Sequence, residues 1–129
     1  PYTPPISLLK QLELRLKKVQ EEGLENLRKR YTENTNYLRN GVKELGLTFF
    51  TEHMANCVTG VSTPSDINAE EVVKILREKY HIEVAPSWPG LKEHLFRVGN
   101  FGNINKTDID KFLLALRLTI EELRNNYDR

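Results

Sequence analysis

Apolar residues recur every three or four positions along the first third of the chain. From Ile6 they continue to Val19 with Lys and Glu between them, and Gly23 interrupts the pattern. A second stripe of the same period covers about residues 24–45 and stops at Gly46, where a glycine commonly follows a helix. The pattern therefore predicts two helices that meet at Gly23.

After Gly46 the spacing changes to short runs of β-branched and aromatic residues, which is typical of strands. Pro64 ends the second of these runs, because proline cannot donate a hydrogen bond within a sheet. Four strands are predicted, over residues 47–50, 57–61, 81–85 and 95–99.

Two more helices lie between and after these strands. Asn68 followed three positions later by Glu71 is a helix-start signal, and apolar residues at helical spacing continue to Tyr80. The last helix is predicted to begin near residues 105–108, with Asp108 and Asp110 at its positive end. Its apolar face is Ile109, Phe112, Leu113, Leu116, Ile120 and Leu123.

Strand pairs separated by helices predict an α+β fold. We expect a small antiparallel or mixed sheet of about four strands, with helices on one face and a long N-terminal helix before it. Residues 1–22 are interpreted as a linker and interdomain helix, and residues 23–129 as a small C-terminal domain. Because the chain begins with Pro1 and a proline-rich stretch, we interpret it as a piece of a longer protein. The first helix would then pack on a missing neighbour or on a second copy.

Composition and charge exclude several classes of protein. The chain has 129 residues, of which 39% are hydrophobic and 29% charged, so it is too apolar to be disordered. It has no run of about 18 apolar residues, the minimum for a membrane helix. Its net charge of +1 argues against binding of a nucleic-acid backbone, since each neutralised phosphate needs its own cation. A cytoplasmic location is expected.

Few residues carry chemistry. The three histidines, His53, His81 and His94, stand singly, so no metal site is predicted. The single cysteine, Cys57, excludes an internal disulfide, and at the start of an apolar strand it is interpreted as a buried structural thiol. No catalytic residue is predicted within this segment.

Arg97 is the strongest candidate for binding. It lies between Phe96 and Val98 in a predicted strand, so its side chain is expected on the opposite face from theirs. Gly99 and Gly102 follow, and they let the backbone turn sharply. An arginine at a strand end offers a planar pair of donors that fits a carboxylate, although the pattern alone favours a solvated strand arginine.

Three segments together resemble one enzyme family. They are YTPPISLL at residues 2–9, EGLEN at 22–26 and RVGNFGN at 97–103. In this order and spacing they resemble the C-terminal portion of class V aminotransferases, the alanine–glyoxylate and serine–pyruvate type of enzyme that depends on pyridoxal 5'-phosphate. The likeness covers nearly the whole chain.

The resemblance implies a role for two residues. Arg97 would bind the α-carboxylate of the substrate, and Thr3 would reach the cofactor phosphate at the subunit interface. The lysine that binds the cofactor would lie upstream of this segment. Lys10, Lys17 and Lys18 are not in a comparable motif and are interpreted as solvated helical lysines.

The chain also departs from the family. Residues 86–90 read Pro-Ser-Trp-Pro-Gly where relatives often carry a glycine-rich loop, and Asn100 stands where many have histidine. Trp88 could line the substrate pocket or cover the sheet. These departures leave the amino-acid specificity open.

The resemblance further implies the reaction and the partners. We expect amino-group transfer between alanine or serine and glyoxylate or pyruvate, by a homodimer, with no nucleic-acid or membrane partner. One alternative is a non-enzymatic α+β module in which Arg97 binds an acidic effector. Another is a lyase or cysteine desulfurase of the same fold, which would need a cysteine on a mobile loop.

Overall fold

The computed structural model describes residues 4–127 and has the predicted α+β class. Each predicted helix is present, and each predicted strand has a counterpart, although some boundaries differ. The helices are α1 (Ile6–Glu22), α2 (Leu24–Glu44), α3 (Ala69–Tyr80) and α4 (Lys106–Tyr127). The strands are β1 (Thr48–Phe49), β2 (Val58–Ser62), β3 (Ala85–Pro86) and β4 (Leu95–Gly99). No helix among residues 4–127 is long and apolar enough to cross a membrane.

The four strands form one antiparallel sheet in the order β1-β2-β4-β3. The central strand β4 pairs with β2, where Arg97 stands opposite Gly60, and with β3, where Arg97 stands opposite Ala85. The prediction of an antiparallel or mixed sheet is therefore confirmed in its antiparallel form. The register brings three residues that are far apart in sequence into one row across the sheet.

The chain divides into two compact units, residues 1–30 and 31–129. In the first unit, α1 has no buried residue, and its leucines are more than half exposed. Arg30 donates from Nε and Nη2 to the carboxylate of Glu22 at 2.6 and 3.0 Å, and this contact holds the pKa of Glu22 below its usual value. The predicted domain boundary after residue 22 stays a prediction.

The hydrophobic core of the second unit lies on one face of the sheet. Burying these side chains removes apolar area from water, which contributes roughly 25 cal/mol per Å². Phe96 and Val98 are buried while Arg97 between them is only half-buried, as the alternation of a strand requires. The core residues of the helices and strands include Leu38, Val42, Val61, Val72, Leu76, Phe96, Phe112 and Leu116.

The helix ends follow the sequence signals. Asn68 caps α3 by accepting a hydrogen bond from the backbone N–H of Glu70 at 2.8 Å. Asn105 and Asp108 each accept from the other's backbone N–H at 3.1 Å, which fixes the start of α4. Gly46 follows α2 with a φ of 77°, a conformation that costs other residues energy.

The predicted strand over residues 81–85 is wrong for most of its length. His81 is left-handed with a φ of 54°, and the backbone N–H of Ile82 donates to Leu76 O at 3.0 Å. These residues complete the end of α3, so their backbone groups are not in position to pair with the sheet. Only Ala85 and Pro86 pair with β4.

The interpretation of Cys57 as a buried thiol is also wrong. The backbone N–H of Val58 donates to Ala55 O at 3.4 Å, so Cys57 lies in a turn and β2 begins one residue later than predicted. A side chain in a surface turn does not enter the alternating pattern of the strand, and Cys57 is exposed.

Candidate functional site

Arg97 lies on the face of the sheet that is turned away from the core. Its neighbours Phe96 and Val98 fill the core, and β4 places the guanidinium on the opposite side. The two residues beside it in the sheet are Gly60 on β2 and Ala85 on β3, neither of which has a side chain longer than a methyl group. The expected direction of Arg97 is therefore confirmed, whereas its role stays a prediction.

The guanidinium of Arg97 is held by the last residue of β3 and the segment that follows it. Nη2 donates to the carbonyl oxygen of Pro86 at 3.0 Å, and Cζ lies 5.0 Å from the centre of the Trp88 ring. Nε is buried and has no hydrogen-bond partner among the described residues. A buried donor without an acceptor is costly, so the hydrogen-bonding capacity of this guanidinium is not fully used by the described residues.

Trp88 therefore lies over Arg97, and its side chain remains 55% exposed. Ser87, between Pro86 and Trp88, also has a buried hydroxyl oxygen without a partner in the described part of the chain. Arg97 and Ser87, which lies beside the residues that contact Arg97, thus each have a buried polar atom without a partner among the described residues. From the sequence alone, Trp88 could either line the substrate pocket or cover the sheet. In the structure its ring contacts Arg97.

Gly60 is a residue of this region that the sequence analysis missed. A methyl group at position 60 would lie 3.4 Å from Cβ of Phe50 and 3.7 Å from Cδ1 of Leu95, which is ordinary contact. The position next to Arg97 on β2 therefore has no side chain, although a methyl group there would fit. A glycine inside a β-branched strand often marks a close approach, and that signal could have identified it.

Asn100 is buried, with 2% of its surface exposed, and acts within the fold. Its Nδ2 donates to Thr35 Oγ1 and, at 2.9 Å, to Asn56 O, while its backbone N–H donates to Cys57 O at 3.0 Å. Arg39 contacts the same loop by donating to Ala55 O at 2.9 Å. Burial lowers the pKa of the Arg39 guanidinium. These contacts join α2, the loop before β2 and the end of β4.

Thr3 lies outside the described residues. The three lysines of α1 are exposed, and Lys10 and Lys17 pair with Glu13 at 3.2 and 3.0 Å. Within residues 4–127 no group of three or more His, Cys, Asp or Glu side chains could hold a metal ion.

A separate apolar cavity of about 520 Å³ lies on the helical side of the sheet. Val84, Val98, Ile109 and Phe112 are among its lining residues, and Arg97 is not. The two features are on different faces of β4, so the cavity does not extend the region around the arginine.

Comparison with known proteins decides the family. The family model described as aminotransferase class I and II matches residues 7–116, which is most of the chain. The chain belongs to this family. This match confirms the resemblance to aminotransferases that the sequence showed. The similar proteins include serine–glyoxylate and alanine–glyoxylate aminotransferases.

Two aminotransferases show the extent of the similarity. An uncharacterised aminotransferase of Methanocaldococcus jannaschii is 33% identical over 125 residues, which is 95% of this chain and 32% of the relative. Serine–glyoxylate aminotransferase of Arabidopsis thaliana is 30% identical over 126 residues, with 95% and 31% covered. The chain thus spans about a third of the length of these relatives.

One solved structure is similar to this chain in fold as well as in sequence. Alanine–glyoxylate aminotransferase from Nostoc sp. superposes with a TM-score of 0.87 at 29% identity, covering 92% of this chain and 32% of that one. The four-stranded antiparallel sheet with its helices is therefore an arrangement that this aminotransferase shares.

Proposed function

We propose that the protein containing this chain is a pyridoxal-phosphate-dependent aminotransferase that moves an amino group between alanine or serine and glyoxylate or pyruvate. The family match supports the reaction type. The substrate classes rest on the serine–glyoxylate and alanine–glyoxylate enzymes among the similar proteins. A non-enzymatic module is not favoured, because the family match covers most of the chain.

The observation that carries this chain's part in the reaction is the unsatisfied guanidinium of Arg97. It lies on the face of the sheet opposite the core, and its Nε is buried and unpartnered among the described residues. No carboxylate of the described part of the chain forms an ion pair with it. A substrate α-carboxylate would supply the missing opposite charge. Arg97 would thereby orient the substrate for reaction.

Pyridoxal 5'-phosphate supplies an electron sink for this chemistry when it is bound. The lysines of α1 are exposed, and Thr3, which the resemblance assigns to the cofactor phosphate, lies outside the described residues. We propose that Thr3 contacts this phosphate and assign the other binding groups to the part of the relatives' length that this chain does not span. The proposal includes a homodimer, which the resemblance implies, and a cytoplasmic location, which is expected from the single cysteine.

The assignment of Arg97 predicts a large effect of Arg97→Ala in the full-length protein. We expect the KM for L-alanine or L-serine to rise by a factor of up to roughly 10², because a hydrogen bond to a charged group contributes about 1.5–3 kcal/mol. Steady-state kinetics over a range of amino-acid concentrations measures this change.

Arg117→Ala is the matched control, because Arg117 is an exposed arginine on α4. Its KM is expected to equal that of the unaltered enzyme. If Arg97→Ala leaves the KM unchanged while transamination persists, Arg97 does not bind the substrate carboxylate.

A further inference from the structure

We infer that Trp88 is a positioning residue for Arg97, and that its indole ring determines how tightly the substrate carboxylate is held. This inference rests on the proposed role of Arg97. It concerns the segment at residues 86–90, where the chain departs from the family whose sequence it resembles.

The side chains paired with Arg97 across the sheet restrain it little. A long side chain in a strand is normally held by the residues beside it on the neighbouring strands. Here those residues are Gly60 and Ala85, which offer no side chain and one methyl group. The described contacts of the guanidinium are Pro86 O, at the end of β3, and the Trp88 ring in the segment that follows.

The two contacts also leave the charge of Arg97 uncompensated. A carboxylate beside Arg97 would orient it but would also neutralise it, and no such ion pair occurs among the described residues. The face of an aromatic ring attracts a cation without carrying a net charge. Trp88 and the carbonyl of Pro86 can therefore orient the guanidinium and leave its positive charge available to an anion.

The two contacts also restrain the guanidinium before a ligand arrives. The carbonyl oxygen takes one N–H of Nη2 at 3.0 Å, and the centre of the ring lies 5.0 Å from Cζ. A side chain that is already restrained loses less conformational freedom when it binds a carboxylate, so its ordering opposes binding less.

A double-mutant cycle in the full-length protein tests the inference. The four proteins are the unaltered enzyme, Trp88→Ala, Arg97→Ala and the double variant, assayed with L-alanine and glyoxylate. Both substrates carry an α-carboxylate, so we expect Trp88→Ala to raise the KM for both by about five-fold, with kcat changed much less. In the Arg97→Ala background, loss of Trp88 is expected to have no additional effect, because it acts through the arginine.

Further variants separate the ring from its bulk. Trp88→Phe keeps an aromatic face and is expected to retain most of the affinity, whereas Trp88→Leu keeps apolar bulk and is expected to behave as Trp88→Ala. Leu114→Ala, which removes an exposed apolar side chain on α4, is the control and should leave both KM values unchanged. Trp88→Leu also provides the test if Trp88→Ala does not fold.

The outcomes distinguish this inference from the proposed function. Unchanged KM values in Arg97→Ala contradict the proposed role of Arg97, and the inference with it. A large effect of Arg97→Ala with no effect of Trp88→Ala and Trp88→Leu overturns the inference alone. An equal effect of losing Trp88 in both backgrounds also overturns it, because Trp88 would then act on the substrate independently of Arg97.

Discussion

Asn100 illustrates how one polar side chain can be more important to the fold than to the ligand. Its position beside the RVG segment suggested an influence on substrate specificity. In the structure its amide is buried and bonded to Thr35 and Asn56, which joins the loop before β2 to the end of β4. Polar groups buried in this way stabilise a fold only while their partners are present.

At the residue scale we therefore predict that Asn100→Leu destabilises the protein. The change removes two side-chain donors and leaves buried oxygens with fewer partners, which typically costs about 1–3 kcal/mol. Chemical denaturation measures the free energy of unfolding. Asn103→Leu, at an exposed position three residues later, should stay within about 0.5 kcal/mol of the unaltered protein. Equal stability of the two variants would contradict a structural role for Asn100.

At the scale of the element, α3 shows how a helix is fixed at its first residue. Asn68 accepts a hydrogen bond from the N–H of Glu70 at 2.8 Å, and the N–H of Ala69 donates to Glu93 O at 2.8 Å. Ala69, Val72 and Leu76 are then buried in the core. The cap and the apolar stripe therefore act together, because a shift of the first residue would rotate the stripe away from the core.

Asn68→Ala is predicted to weaken the first turn of α3. Loss of an N-cap side chain costs about 1 kcal/mol, equivalent to roughly a five-fold increase in local opening. Hydrogen exchange followed by mass spectrometry on peptides from residues 68–80 detects this change. Asn68→Asp keeps a capping oxygen and should exchange as the unaltered protein does. Asn125→Ala, within α4, should leave this segment unaffected; faster exchange there would point to a global effect.

At the scale of the whole molecule, the most unusual feature is the exposed apolar side of α1. Its side chains Leu8, Leu9, Leu12 and Leu16 are each more than half exposed, and no residue of the helix is buried. Exposed apolar patches of this kind commonly contact another chain or domain. The chain spans about a third of the length of its relatives, which agrees with a helix that is covered in the longer protein.

We predict that the 129-residue chain, produced by itself, self-associates through α1. Light scattering over a range of concentrations should show a rising average mass, because association removes the leucines from water. Leu12→Lys combined with Leu16→Lys should abolish the rise. Gln11→Lys combined with Gln20→Lys adds the same charge at exposed polar positions and should not. A strict monomer at high concentration would contradict the prediction.

The fold was largely predictable, but the surroundings of Arg97 were not. The direction of Arg97 followed from the alternation of Phe96 and Val98, which depends only on adjacent residues. The contact of Arg97 with Trp88 depends on where β3 lies in the chain. The start of β3 was predicted at residue 81, four residues before its position in the structure. The burial of Thr35 was missed for a similar reason: a polar residue on a helix is expected outside unless a distant partner, here Asn56 O, is known.

The sequence by itself determined the helices, the Asn68 cap of α3, three of the four strand regions and the face on which Arg97 lies. These features arise from interactions over one to four residues, which a linear pattern records. Only the tertiary structure decided that Gly60 and Ala85 flank Arg97, that Pro86 and Trp88 hold it, and that Cys57 is exposed. Those contacts depend on strand register and turn geometry, which join residues distant in sequence and are set by the packing of the whole unit.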